Sequence, residues 1–430
     1  MSTPQDISTL FIQDSKIASL IRSEEKREFE GLELIPSENY VSRACHEAMG
    51  SVFTNKYSEG YPHKRYYGGQ DFTDPLEELC IERACKLFDC KYANVQTHSG
   101  APANIATYFA LCEPGDTILG MDLGHGGHLT HGHPVTYISK IFNFIRYKMK
   151  DPDTGEIDYD ELRELAHLHK PKIILAGFSA YSRELDYQKF VDIAKEVGAI
   201  TMADMAHIAG LIAGKALKNP FHYGFDIITS TTHKTLRGPR GGLILVRDNV
   251  DIAKKIDKSV FPGFQGGPHM HIIAAKAVAF GEALTPDFQV YALQVLKNAK
   301  AMEEVFKDHN IRLLGGGTDN HLLLADVYGS LGISGKEAQI VLDEVGITLN
   351  MNAIADDPRK PMDPSGIRFG TPAITTRGLQ ENDCREVAEL MIETMQKKDD
   401  TQRKLEIREK IRMIAQKFPV PDSFVTSSLS

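Results

Sequence analysis

Phe225-Asp-Ile-Ile-Thr-Ser-Thr-Thr-His-Lys234-Thr-Leu-Arg-Gly-Pro-Arg-Gly-Gly242 is the stretch on which the organisation of the chain turns. Its apolar, β-branched opening, Asp226 to Thr232, predicts a buried strand. The run then turns polar, delivers one lysine at its end, and breaks into a glycine- and proline-rich loop. A lysine just past a strand is ordinarily a surface residue. Where its amine is instead drawn into a pocket, burial lowers its pKa toward that of a nucleophile. The neighbours of Lys234 decide between the two readings.

Working outward from this strand, helical and strand-like segments alternate from about residue 92 to 285, which predicts a mostly parallel sheet covered by helices. Tyr92 to Thr97 reads as a strand that ends in His98-Ser-Gly-Ala-Pro-Ala-Asn104 before a helix from Ile105 to Cys112. Such a small-residue turn offers free N–H groups and Ser99 to an anion. Pro171 to Ser182 reads as a second strand, Phe190 to Val197 as a helix, and Ala199 to His207 as a strand closing on Asp204 and His207. A strand-end aspartate lies where parallel sheets bind ligands, although a helix cap is its commoner use.

Leu123 to His133 holds four histidines in nine residues. Metal binding is disfavoured there, because no cysteine lies nearby and Asp122 is the only close carboxylate. A flat imidazole against an aromatic ligand is the better functional reading. Asn55 to Gly69 packs four tyrosines, Glu59 and three glycines into fifteen positions without core periodicity, as binding loops do. Phe261 to Pro268 is a glycine-proline loop and a second candidate anion nest.

Toward the N-terminus, Ile17, Leu20 and Ile21 predict an amphipathic helix that packs on something outside its own short segment, such as a partner subunit. Ser37 and Glu38 read from pattern as a helix cap. Toward the C-terminus, Phe288 to Lys307 reads as a connecting helix. His321 to Val327, Ile347 to Asn350 and Ile367 to Phe369 read as strands. Ser334-Gly-Lys-Glu337 reads as a capping box opening a helix to Val345, and two helices follow over 380–416. Arg368, between Gly366 and Gly370, suits bidentate capture of a carboxylate. The polar tail from Ser423 is expected to be mobile. The expected division is an N-terminal arm (1–40), a large domain (41–285) and a small α/β domain (286–430).

Composition narrows the function classes. With 42% hydrophobic and 25% charged residues the chain is an ordinary globular protein, and a net charge of −9 argues against a general nucleic-acid binder. No apolar run reaches membrane-spanning length, the opening Met-Ser-Thr-Pro-Gln-Asp is unlike a signal peptide, and six cysteines without metal-knuckle spacing suit a reducing cytoplasm. A lysine, an aspartate thirty residues before it, an anion turn and an isolated arginine are the parts that pyridoxal phosphate chemistry needs.

The chain also resembles the serine hydroxymethyltransferase family. The resemblance is carried by Thr231 to Gly242, Ser37-Glu-Asn-Tyr40, Ser58-Glu-Gly-Tyr-Pro62, Arg65-Tyr-Tyr-Gly-Gly69, Gly126 to Gly132, Asp204-Met-Ala-His207, Gln265-Gly-Gly-Pro268 and Gly366-Ile-Arg368. It implies the aspartate-aminotransferase-like fold (fold type I, α/β) and a homodimer or a tetramer of dimers. It implies transfer of the hydroxymethyl carbon of L-serine to tetrahydrofolate, giving glycine and methylene-tetrahydrofolate, with pyridoxal phosphate as cofactor.

By the same resemblance Lys234 would form the Schiff base and Asp204 would pair with the pyridinium nitrogen. His128 would stack on the ring, and Ser179 and His207 would lie near its phenolic oxygen and the substrate. Ser99, Gly100 and Ala101, with Tyr57 and Gly267 from the other subunit, would cradle the phosphate. Arg368 and Ser37 would hold the amino acid, Glu59 from the other subunit would move a proton, and Tyr67 would line the same pocket. Leu123, Gly127 and Asn352 match folate-facing positions. Ala101, followed by Pro102, stands where many members carry a serine, and Met351 where some carry a lysine, which bears on cofactor affinity and on the folate end. The alternatives are a folate-independent aldolase and a non-catalytic binding protein; an absolute requirement for tetrahydrofolate separates the first, and a colourless protein would favour the second.

Overall fold

The computed structural model describes residues 9–421. Seven strands form the main sheet: β1 (Tyr92–Asn94), β2 (Thr117–Met121), β3 (Asn143–Tyr147), β4 (Ile173–Gly177), β5 (Ile200–Asp204), β6 (Ile227–Thr231) and β7 (Gly242–Val246). Their order is β1-β7-β6-β5-β4-β2-β3. Every neighbouring pair is parallel except those made by β7, which runs antiparallel to both β6 and β1. β4 and β6 are buried at every position, and β5 at all but its first residue. Their Ile- and Thr-rich sequences suit a sheet covered on both faces.

A second, antiparallel sheet joins β8 (Leu322–Asp326), β9 (Asn350–Asn352) and β10 (Gly366–Gly370), with β10 in the centre. The helix Pro286–Asp308 runs between two cores. Phe288, Tyr291, Ala292 and Val295 pack into the larger cluster around the main sheet, whereas Ala299, Met302, Val305 and Phe306 pack into the cluster around β8 and β10.

The helix Ser15–Glu30 is capped by Asp14, whose carboxylate accepts from the N–H groups of Lys16 and Ile17. Its apolar stripe faces outward: Ile17, Leu20 and Ile21 are 45%, 66% and 46% exposed.

Three local readings are corrected. Ser37 and Glu38 cap no helix. The segment forms a turn in which Glu38 N–H donates to the Ile35 carbonyl, and the next helix, Arg43–Met49, is capped by Ser42. The polar loop is held instead by distant strands, since Leu34 N–H donates to Thr348 and its carbonyl accepts from Gly370. The run Ile347 to Asn350 is divided, Ile347–Thr348 pairing with Leu32–Glu33 and Asn350 with β10. The capping box at Ser334 is half made: Ser334 accepts from Glu337 N–H, but the Glu337 carboxylate accepts from Lys398. The tail from Ser423 lies outside the described residues.

Candidate active site

Lys234 follows β6 by three residues and stands half-buried beside the C-terminal ends of β5 and β6. Burial lowers its amine to a pKa of about 8, against the pull of Asp204. Asp204, the last residue of β5, has a buried carboxylate with three polar contacts and one lone pair of Oδ1 still open. Oδ1 accepts from Ala206 N–H at 3.1 Å, and Oδ2 accepts from Asn104 Nδ2 at 2.8 Å and faces His131 Nε2 at 3.0 Å. Burial alone would raise its pKa; the bond from His131 and the charges around it hold it well below the usual carboxylate range. It is therefore a permanent anion at neutral pH.

His128 is aligned by the same group. Its N–H donates to His131 Nδ1 at 3.1 Å, and its Nδ1 lies 2.8 Å from Thr130 Oγ1. Burial depresses its pKa to about 4, which leaves a neutral ring suited to stacking. The loop imidazoles serve separate tasks: His125 Nδ1 accepts from Met149 N–H and His133 Nδ1 from Val135 N–H. Among the described residues no group of three His, Cys, Asp or Glu side chains is arranged to hold a metal.

His207 sits beyond β5 with Nδ1 3.3 Å from His321 Nε2, its pKa driven far down by burial and then by the charges of Lys234 and Arg368. Arg368, central in β10, donates from Nε to Asn350 Oδ1 at 3.2 Å and from Nη1 to the Ser179 carbonyl at 2.6 Å. Burial lowers its pKa to about 10, so it keeps its charge at neutral pH. The Ser37 turn reaches the same place: Asn39 Nδ2 donates to the Lys234 carbonyl at 3.0 Å and to Tyr291 Oη at 2.8 Å.

The anion turn is formed by Ser99 and the first residues of the helix Gly100–Leu111. Ser99 makes no side-chain cap bond, and among the described residues its hydroxyl and the N–H groups of Gly100 and Ala101 take no partner. Gly100 permits close packing, since a Cβ there would meet Thr231 Cγ2 at 2.8 Å. Leu123 and Gly127 flank the turn after β2, where Gly127 N–H donates to the Asp122 carbonyl. Asn352 pairs with Gly366, two residues from Arg368 on β10.

Tyr57, Glu59, Tyr67 and Gly267 form a different group. Tyr57 Oη donates to Glu59 Oε1 at 3.1 Å, its ring meets Tyr67 edge-on at 5.3 Å, and a Cβ on Gly267 would lie 3.1 Å from its Cζ. Arg65 pins this loop from below through Glu77 at 2.6 Å, Asp74 at 2.9 Å and the Ser58 and Gly60 carbonyls. Among the described residues no hydrogen bond, ion pair or ring contact joins this group to Lys234, Asp204 or Arg368. Tyr57 is 55% and Tyr67 50% exposed.

The family model for serine hydroxymethyltransferase matches residues 10–391. The chain belongs to the serine hydroxymethyltransferase family. It is 54% identical over 407 residues to the serine hydroxymethyltransferase of Francisella philomiragia subsp. philomiragia, covering 95% of this chain and 97% of that one. Identity and coverage are the same for the enzyme of Francisella tularensis subsp. novicida. Fold type I, transfer of the serine hydroxymethyl carbon to tetrahydrofolate and the use of pyridoxal phosphate follow from family membership.

The site fits that cofactor: a turn of unpartnered donors, a fixed buried anion and a lowered lysine amine lie at the ends of adjacent elements. Sequence reasoning passed over Asn104, Thr130, His131, Asn39 and His321. Asn39, Asn104, Thr130 and His131 stood inside motifs already singled out, but spacing could not tell which polar side chain faces inward.

Proposed function

We propose that hydroxymethyl transfer occurs at Lys234, Asp204, His128, His207 and Arg368 of one chain, completed by Tyr57, Glu59, Tyr67 and Gly267 of a second copy. Pyridoxal phosphate, when bound, supplies an aldehyde that joins to an amine and a ring that draws electrons from the substrate's α-carbon. Lys234, with a pKa of about 8, presents a usable fraction of neutral amine near neutral pH. Asp204, whose carboxyl stays ionised, would hold a proton on the nitrogen of a bound pyridine ring. The neutral His128 ring offers a flat face.

Arg368 spends Nε and one Nη1 N–H on Asn350 and Ser179, leaving the second Nη1 N–H and those of Nη2 as a planar pair for the serine carboxylate, beside Ser37. Ser99, Gly100 and Ala101 take the phosphate. Glu59 of the second copy holds or moves the proton of the serine hydroxyl, with Tyr57 bonded to it and Tyr67 packed on Tyr57. Leu123, Gly127 and Asn352 face the folate.

The observation that carries the shared site is the separation of the Glu59 group from the Lys234 group, with tyrosines half-exposed at its surface. The outward stripe Ile17, Leu20 and Ile21 supports a homodimer in the same way. The cytoplasm is the proposed location; among the described residues no helix is long and apolar enough to cross a membrane. Glycine formation from L-serine tests the reading. It is expected only with tetrahydrofolate present, to vanish when cofactor is stripped and to return when it is restored. Equal rates without folate would contradict it.

A further inference from the structure

Lys276 lies in the helix Met270–Ala283 and is 1% exposed. Its ammonium donates to three carbonyls, of Val95 at 2.6 Å, Gly242 at 2.8 Å and Thr97 at 3.0 Å. Among the described residues it has no carboxylate within ion-pair distance: Glu77, whose charge it feels, is taken by Arg65 and by Gln96 Nε2. A buried charge with only neutral acceptors is costly and persists where something recovers the cost.

The three acceptors locate that something. Val95 and Thr97 lead from β1 into the Ser99 turn, and Gly242 opens the antiparallel strand β7 beside them, its N–H donating to the Thr97 carbonyl at 2.9 Å. The paired glycines that end the Lys234 segment exist for this junction. A Cβ on Gly241 would lie 2.4 Å from Lys276 Cε, and a Cβ on Gly242 would lie 2.3 Å from the Ser99 carbonyl oxygen. The charge is also felt on the outward side. His98 and His269 are held below the ordinary imidazole pKa by burial first, then by a neighbouring imidazole and by Lys276. His98 precedes Ser99, and His269 follows the Gly267 loop by two residues.

We propose that Lys276 is a positioning residue for the anion turn: it ties the two strand ends from beneath and, in its protonated form, adds positive charge there, so that the site selects a phosphorylated pyridoxal over the free aldehyde. The proposal rests on the reading of Ser99 to Ala101 as the phosphate cradle. Loss of a purely structural lysine would weaken binding of both aldehydes alike, whereas loss of a charge directed at the turn weakens only the phosphorylated one.

The test measures dissociation constants of pyridoxal phosphate and of pyridoxal for cofactor-stripped full-length protein, in Lys276→Gln, which keeps two donors, and in Lys276→Met. The expected result is a fall of about tenfold in the ratio of the two affinities in both variants, the scale of one charge acting through a partly polar interior. An unchanged ratio overturns the proposal. So does failure of both variants to fold, which would make Lys276 a fold determinant. Ser99→Ala, measured alongside, separates the two readings. If it lowers the ratio and the Lys276 variants do not, only the role of Lys276 falls. If it leaves the ratio unchanged, the cradle reading falls first.

Discussion

His131 presents Nε2 3.0 Å from Oδ2 of Asp204, across 73 residues of chain, and its Nδ1 accepts the N–H of His128. One buried imidazole thus ties the strand-end carboxylate to the backbone of the loop carrying the candidate stacking ring.

Replacing His131 with Ala should therefore act through Asp204. A hydrogen bond to a charged group contributes about 1.5–3 kcal/mol, so kcat is expected to fall roughly ten- to a hundredfold with little change in the KM for serine. Steady-state kinetics decide it; an unchanged kcat would show that Asn104 and Ala206 suffice to hold the carboxylate.

Lys234 carries a pH prediction. Only the unprotonated amine captures an aldehyde, and with a pKa of about 8 the reactive fraction rises with pH and is nearly complete above it. Cofactor capture by the stripped protein should accelerate up to about pH 8 and then level off, whereas an ordinary lysine would keep accelerating past about pH 10. Stopped-flow absorbance distinguishes the two. Lys234→Gln should abolish capture and turnover together.

Arg368→Lys removes the planar pair of N–H groups while keeping a positive charge. The KM for serine should rise, with kcat/KM falling roughly a hundredfold. A wild-type KM would mean that Nη2 points away from the substrate.

Ala101 is the second residue of the helix Gly100–Leu111, within the anion turn, and brings no hydroxyl to it. Ala101→Ser should tighten cofactor retention by about 1 kcal/mol. Equal loss on dialysis against a cofactor scavenger would show that the added hydroxyl finds no phosphate oxygen.

What could be read from the sequence followed the range of the interactions. The strand leading to Lys234 and the strand ending at Asp204 were legible because burial on both faces writes itself locally as an apolar, β-branched run. Ser37 misled because its turn is organised by Thr348 and Gly370, more than 300 residues away, while its local pattern mimics a cap. His131 was hidden among similar histidines, since a three-residue spacing does not say which ring turns inward. Lys276 left almost no signal. Its partners are backbone carbonyls, two of them some 180 residues distant, which carry no side-chain signature.

The most direct measurement concerns the shared site. Lys234→Ala and Glu59→Gln, each expected to be nearly inactive, are refolded together in equal amounts, with subunit exchange verified separately. Random pairing makes about half the dimers mixed, and each mixed dimer holds one site with both residues intact. Activity should recover to roughly a quarter of wild type per chain. If Lys234 and Glu59 act within one chain no site can be whole, and absence of recovery after proven exchange would contradict the shared site.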